Sequence, residues 1–441
     1  MPFQARQLDP AGSAFARLGA ELRARREANG YSQAVLSRGI TYSAALIRRV
    51  EATERFPTYE FIQACDRALD ADGALTALWP AANAERANAG AVAEYARPNA
   101  SVRFDSDRSS LAIGAWVTSS TDETLLVVQS GGRSVIGDEV AVADSTLHMF
   151  RELDHAHGAG AFAAQLRTYI DSELSELLAR PAVDLATAVE RGRVATGFFE
   201  LAGYQAVDAG RPGWAQSYYA RALEVNAQSG DRGYGAYLVA ANLAHLALHC
   251  DRPTVALDWA QRAIASAGTA ASPATRAAIT AVAARAHARL GDEKATTATL
   301  TEAERLLDTS ALSDEPAWIA YFNRAYLADE MAHAFHDLGR PPAARREVSD
   351  ALGGVGPTHV RRLAIDAALL ASTWLHSGDV EQACAIGREA VGYAVRTRSG
   401  RCVQRIAALS ADLSAYSSVP AVAEFTDYVH TMLPAAVQPT R

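Results

Sequence analysis

The sequence predicts an all-α chain of two domains: a small helical head and a long array of paired helices. Three observations carry this. Apolar residues recur at three- and four-residue spacing through segments filled with Ala, Leu, Arg and Glu, all good helix formers. From about residue 192, Gly or polar turns alternate with alanine-led helices at a near-constant period. Charge divides unevenly: residues 1–65 hold nine arginines against six acids, a net of +3, so with the whole chain at −8 the remainder carries −11. A basic end on an acidic body suits contact with nucleic acid through one end only.

At 441 residues the chain exceeds a single small core. No run of eighteen apolar residues reads as a membrane span. Met1–Pro10 has no apolar core, so it reads as no secretion signal, and a cytoplasmic protein is expected. Cys65, Cys250, Cys384 and Cys402 are scattered and read as reduced packing residues. Lys294 is the only lysine, which with the abundant Ala points to a GC-rich genome rather than to a function.

The head spans 13–79. Its first helix runs from Ser13 to Asn29, with Phe15, Leu18 and Leu22 on one face, and Gly30 stops it. Ser32 caps a second short helix with Val35 and Leu36 inward, and Ser43 caps a third, Ala44 to Glu51. Pro57-Thr58 opens a fourth, with Phe61, Ile62 and Leu69 inward.

Leu18, Gly19, Leu22, Arg23, Arg26, Gly30-Tyr31-Ser32-Gln33, Leu36, Ser43, Ile47, Val50-Glu51 and Pro57 together resemble the lambda-repressor-like, or xenobiotic-response-element, helix-turn-helix domain. The resemblance implies that the third helix enters the major groove of a double-stranded DNA operator. Ser43, Ala44, Ala45 and Arg49 then stand at its reading end, with Arg49 able to grip guanine and the alanines limited to apolar contact. Gln33 is expected on a phosphate, and Arg48 and Arg55 add unspecific phosphate attraction. Arg26 and Glu51 take the positions of the family's internal salt bridge. One position departs from the pattern: Thr41 stands where Gly is usual, with Gly39 two residues earlier.

Residues 80–140 read as a linker. Its first part, 80–110, is polar and alternates in charge, with room for one helical turn. Residues 111–140 hold β-branched residues around Gly131-Gly132, which predicts a small β-hairpin. Helix resumes near Val142.

The second domain is expected over 141–435. Five turns (DAGRPGW, HCDRPTV, LGDEKAT, LGRPPAA, HSGDVEQ) each precede an alanine-led helix. The leading Ala215, Ala256, Ala295, Ala344 and Ala383 are spaced 41, 39, 49 and 39 residues apart, the signature of an α-solenoid. Small residues let paired helices approach, and Phe199, Tyr219 and Trp259 fill between them. The units resemble tetratricopeptide repeats over roughly 190–418; the third fits least, with Glu302 where a small residue is expected.

In that repeat type the first helix of each pair lines a concave groove. The alanine register then places Tyr204, Asn242, His245, His249, His287, Tyr326, Asp329, His333, His336 and His376 inward. This includes six of the chain's eleven histidines. A hydrogen-bonding ligand groove and ordinary packing both account for that bias. His245 with His249, and His333 with His336, have metal-competent spacing, but no carboxylate or Cys completes a shell, so no metal and no cofactor are expected. No catalytic constellation is present and the chain is read as no enzyme.

The order of domains is similar to that of peptide-pheromone-responsive bacterial regulators, and closer still to helix-turn-helix regulators with repeats from GC-rich bacteria. The phrases PAWIAYFNRAYLADE and VRRLAIDAALLASTWLHSGDVEQACAIGREAV carry the likeness into the repeats. It implies a homodimer held through the repeats and a short peptide or small-molecule ligand in the groove. The alternative is a protein-docking adaptor on the same scaffold with a vestigial DNA-binding head.

Overall fold

A computed structural model of the chain describes residues 13–82, 103–119, 134–269, 271–311, 314–397 and 399–433. The described residues form helices joined by turns and short irregular segments, with no strand among them. The one β-type contact is an isolated parallel bridge between Val135 and Ala182. By contact the chain divides into two compact units, one of residues 1–98 with 129–134 and 175–181, the other of the remainder.

In the first unit, α1 (Ala14–Ala28), α2 (Gln33–Ile40), α3 (Ala44–Glu51), α4 (Tyr59–Ala68) and α5 (74–82) enclose one apolar cluster. Side chains of Ser13, Ser32, Ser43 and Thr58 each accept a backbone N–H at the start of α1 to α4, so every one of these helices begins where its capping residue dictates. Leu18, Leu22, Leu36, Ile47, Val50 and Ile62 are sealed from water. Val35, expected inward, is 39% exposed; Ile40, one turn further along α2 and on the Leu36 face, fills that place at 4%. Gly19 is required where α1 crosses α3, since a Cβ there would stand 2.9 Å from the carbonyl oxygen of Val50.

The second unit starts with α6 (Ser106–Thr118). This corrects the expected hairpin: residues 111–118 are helix, while Gly131-Gly132 and most of 119–133 lie outside the described residues. Asp105 caps α6, and Ile113 and Trp116, at helical spacing, are buried in the body. Trp116 Nε1 donates to Asn226 Oδ1 at 3.0 Å, and Gln216 Nε2 donates to Ser109 at 2.8 Å. Gly235 admits the Trp116 ring, which a Cβ would strike at 2.3 Å. Tertiary docking of Trp116 thus overrides the β-branched composition.

Next come α7 (Gly137–His157) and α8 (Ala159–Tyr169), which ends in a π-helical turn at Ile170–Leu174; α9 (Ser175–Ala179) after it belongs by contact to the first unit. Six helix pairs follow. They are α10 (Leu185–Asp208) with α11 (Pro212–Ser229); α12 (Arg232–Tyr237), which runs through a π turn at Leu238–Ala244 into α13 (His245–His249), with α14 (Pro253–Ala267); and α15 (Pro273–Arg289) with α16 (Glu293–Asp308). Then come α17 (Arg324–Asp337) with α18 (Pro341–Gly353), α19 (Val360–His376) with α20 (Val380–Ala394), and the terminal α21 (Gly400–Leu413) and α22 (Pro420–Met432).

Small side chains seven apart seal each pair without exposure: Ala215 and Ala222, Ala256 and Ala263, Ala344 and Ala351, Ala383 and Ala390. In the third pair the sealed positions are Thr296 and Ala303, one residue on from the Ala295 register, which explains why Glu302 seemed out of place. The array curls until its ends meet, with α7 against α19 and α10 against α21.

Candidate nucleic-acid interface and interior polar network

The candidate DNA surface is built on one buried ion pair. Arg26 Nε and Nη2 meet Glu51 Oε1 and Oε2 at 2.5 and 2.9 Å, with Glu51 sealed from water. The Glu51 hydrogen bond strengthens the hold of Arg26 on its proton, against the opposing effect of burial. Arg26 Nη1 also donates to the Tyr31 carbonyl at 2.8 Å, tying the end of α1 to the start of α2. Gln33 Nε2 donates to Glu51 Oε2 at 2.8 Å, so in the free protein its amide serves this pair.

The pair holds α3 against α1 and α2. Ser43 is spent on the α3 cap, Ala44 is half-buried, and Ala45, Arg48 and Arg49 are exposed along the helix; Arg55 is exposed beyond it. None of these three arginines makes a side-chain hydrogen bond or ion pair among the described residues. Thr41 solves the turn in its own way. It adopts the left-handed conformation, φ 57° and ψ 24°, that Gly would take there, with its hydroxyl donating to the Ile40 carbonyl at 2.6 Å. Sequence reasoning passed over Arg38, which is also exposed on α2 and without a side-chain partner among the described residues.

The groove candidates divide: Asn242 and His333 are buried, His249 and His376 exposed, and the rest half-buried. Tyr204 lies beneath two guanidiniums, those of Arg361 and Arg401, each 4.6 Å from the ring. Arg361 pairs with Asp154 at 2.7 Å and Arg401 with Asp208 at 3.2 Å; Ser399 donates to Asp208 at 2.5 Å. These contacts span up to 207 residues of chain and close the curl. Asp154, in the run Asp154-His155-Ala156-His157, is therefore a structural anchor, buried near the C-terminal end of α7.

His245 Nε2 lies 3.4 Å and Arg285 Nη1 2.8 Å from Glu330 Oε2. Burial opposes ionisation of Glu330, but His245 and Arg285 outweigh it and hold the carboxyl well below its ordinary range. Asp329 sits 3.6 Å from His333 and 3.7 Å from Arg362, whose guanidinium covers the Tyr326 ring at 3.8 Å. Burial, with Arg285 and Arg405 nearby, pushes His333 well below the usual imidazole value. His336 Nε2 reaches Ser372 at 3.0 Å, and its ring stands 5.3 Å from His376. Asn242 lies in the π turn with its Oδ1 unpartnered among the described residues, and such turns recur at functional sites. His249 is exposed and His287 half-buried, neither with a hydrogen bond among the described residues.

A feature not foreseen is the filling of this interior by the chain itself. The longer spacing after the third pair is taken up by a loop whose Trp318 stacks on Tyr234 at 4.3 Å and 10°. The Tyr321 hydroxyl bonds to that of Tyr237, and Tyr234 donates to Glu200 at 2.5 Å. The 49-residue spacing was the available signal. Among the described residues, no group of three or more His, Cys, Asp or Glu is placed to hold a metal ion.

No helix of the described residues is long and apolar enough to cross a membrane. No curated protein matches the chain. Residues 17–79 match a family model described as a helix-turn-helix domain, and the match runs from the first turn of α1 through most of α5, including the capped α2–α3 pair. The chain carries an N-terminal helix-turn-helix domain of the DNA-binding regulator type, followed by a helical region.

Proposed function

We propose that the chain is a sequence-specific, cytoplasmic transcriptional regulator that binds a two-fold operator as a homodimer. In this reading α3 lies in the major groove, Arg49 reads a base, and Arg48, Arg55 and Gln33 address the backbone. The body is a tetratricopeptide-like sensor that dimerises and binds a short peptide or small molecule. Ligand binding shifts the population between arrangements of differing operator affinity. The reading assigns no catalytic role, and the four free thiols suit a reducing compartment.

The observation that carries this is α3 itself: a capped helix held by the Arg26–Glu51 pair, presenting Ala45, Arg48 and Arg49 to solvent with both guanidiniums unspent among the described residues. The test is selection of genomic fragments by the purified full-length protein at about 150 mM salt, where unspecific phosphate attraction is weak. A recovered palindromic motif supports the reading. Recovery of no motif, with or without cell extract as a source of ligand, overturns it in favour of a docking adaptor.

A further inference from the structure

The exposed apolar side chains of the body are not scattered. Six of the large ones, Ile136, Val142, Met149, Val183, Leu185 and Val189, fall on the paired beginnings of α7 and α10. Val142 is 67%, Val183 53% and Met149 50% open to water. Contacts between the two segments make these one surface. Val135 and Ala182 form the parallel bridge, and the Val183 N–H donates to the Val135 carbonyl at 2.9 Å, so the chain enters both helices side by side. Further along, Arg193 Nη2 meets Asp144 Oδ1 at 2.9 Å, and a Cβ on Gly197 would stand 2.5 Å from the Leu147 side chain. The helices therefore run parallel and in contact. Val142 and Met149 lie seven residues apart on the outer face of α7, opposite the buried Ala143, Leu147 and Phe150.

The surface carries little net charge. Arg193 is met by Asp144 and, at 2.5 Å, by Glu190. Between Val142 and Met149 the outer face of α7 presents Ser145 and His148. The Ser145 hydroxyl already donates to the Ala141 carbonyl at 2.9 Å, so covering it leaves no unpaired donor. Residues 66–441 carry −11, so like charge holds two copies apart over most of the body and least over this patch. The last helix of the array shows the contrast. There α22 turns Glu424, Asp427 and Thr431 to water, as a terminal helix of a soluble array does. An apolar outer face on the first helices calls for a cover.

We propose that this face of α7 and α10 is where a second copy of the chain packs, with the two α7 helices antiparallel about a two-fold axis near Ser145. That arrangement sets Val142 of each copy on Met149 of the other, while Leu185 and Val189 of α10 widen the contact. A two-fold contact needs a self-complementary patch, and two apolar residues seven apart about a small, satisfied Ser145 form one. This rests on the reading of the body as the dimerising part and names the surface that does it.

The test is sedimentation of the full-length protein over a range of concentrations, and a dimer is expected. Val142→Glu with Met149→Glu changes only outward side chains, so helix content is kept, and it should raise the dissociation constant at least about a hundredfold. Leu111→Glu, at the most exposed apolar residue of α6, should leave the dimer as it was. Ser145→Cys should cross-link the two copies on oxidation. A monomer at every concentration, or a dimer that the double variant leaves intact, overturns the proposal, and the first of these gives the face to another protein or another segment of this chain. The operator selection separates the two readings. A monomer that still yields a motif leaves the DNA-binding role standing without this surface, and a dimer through this face with no motif leaves this surface standing without that role.

Discussion

The head turns Arg48, Arg49 and Arg55 to water and, among its described residues, buries a single arginine, Arg26, against Glu51. The body turns Arg285, Arg361, Arg362 and Arg401 inward, each onto a carboxylate. Shape accounts for the contrast. A five-helix unit around one apolar cluster has room inside for one desolvated pair, so its other cations face out. A curled array of helix pairs has an inner surface, where charges from distant parts of the chain face one another. Net charge therefore says little about the body: it is acidic overall, yet four guanidiniums lie on its inner side, each against a carboxyl group.

The sharpest way to break this comparison is to remove the head's one buried pair. Glu51→Ala leaves Arg26 buried without its carboxylate and should cost the head about 3–5 kcal/mol. In denaturant titration of the full chain the head's transition should move and the body's should not. Replacing Arg26 by Met and Glu51 by Leu together should recover most of the loss; a further loss instead would show that the pair does more than hold α3.

Acid should separate the units in the other direction. The head has no histidine, whereas His155, His333 and His336 in the body are all held below the ordinary 6.5, chiefly by burial. The unfolded body therefore binds more protons than the folded one in this range. Stability is fully present above 6.5 and is lost as pH falls through and below that value. Thermal unfolding at about pH 7.5 and 5.5 should show the body's transition falling while the head's holds. Equal shifts in both would rule out the interior histidines as the cause.

Smaller effects test the outward face. Arg49→Ala should cost about 1–3 kcal/mol at one base pair and relax the selected motif there. Gln33→Ala should weaken binding to all sequences alike, and should also loosen the Glu51 network that its amide joins. Unchanged motifs and affinities in both variants would end these assignments. The smallest effect is expected from Thr41→Gly, which relieves a β-branched residue in the left-handed region; a gain of about 0.5–1 kcal/mol in the head is expected from its unfolding curve.

Most of the head was legible because its signals are local. A hydroxyl at Ser13, Ser32, Ser43 or Thr58 begins a helix wherever that helix later packs. Val35 was misplaced because an eight-residue helix offers little periodicity against which to set its face. The alanine register held for four pairs and slipped by one residue in the third, where Thr296 does the work of alanine. The register singled out the histidines but not what they meet: Glu330, which pairs with His245, and Ser372, which bonds to His336, lie on other helices.

The sequence by itself determined where helices start, which faces are small and which apolar, and that the pairs repeat. Caps and periodicity act within a few residues, so they are written in the local chain. Only the tertiary structure decided that Ile113 and Trp116 belong to a docked helix, that Trp318 fills the interior, and that Asp154 meets Arg361 across 207 residues. Each of these depends on how far the array curls. Curl is the sum of small rotations from one helix pair to the next, set by side-chain packing between pairs and by no single segment.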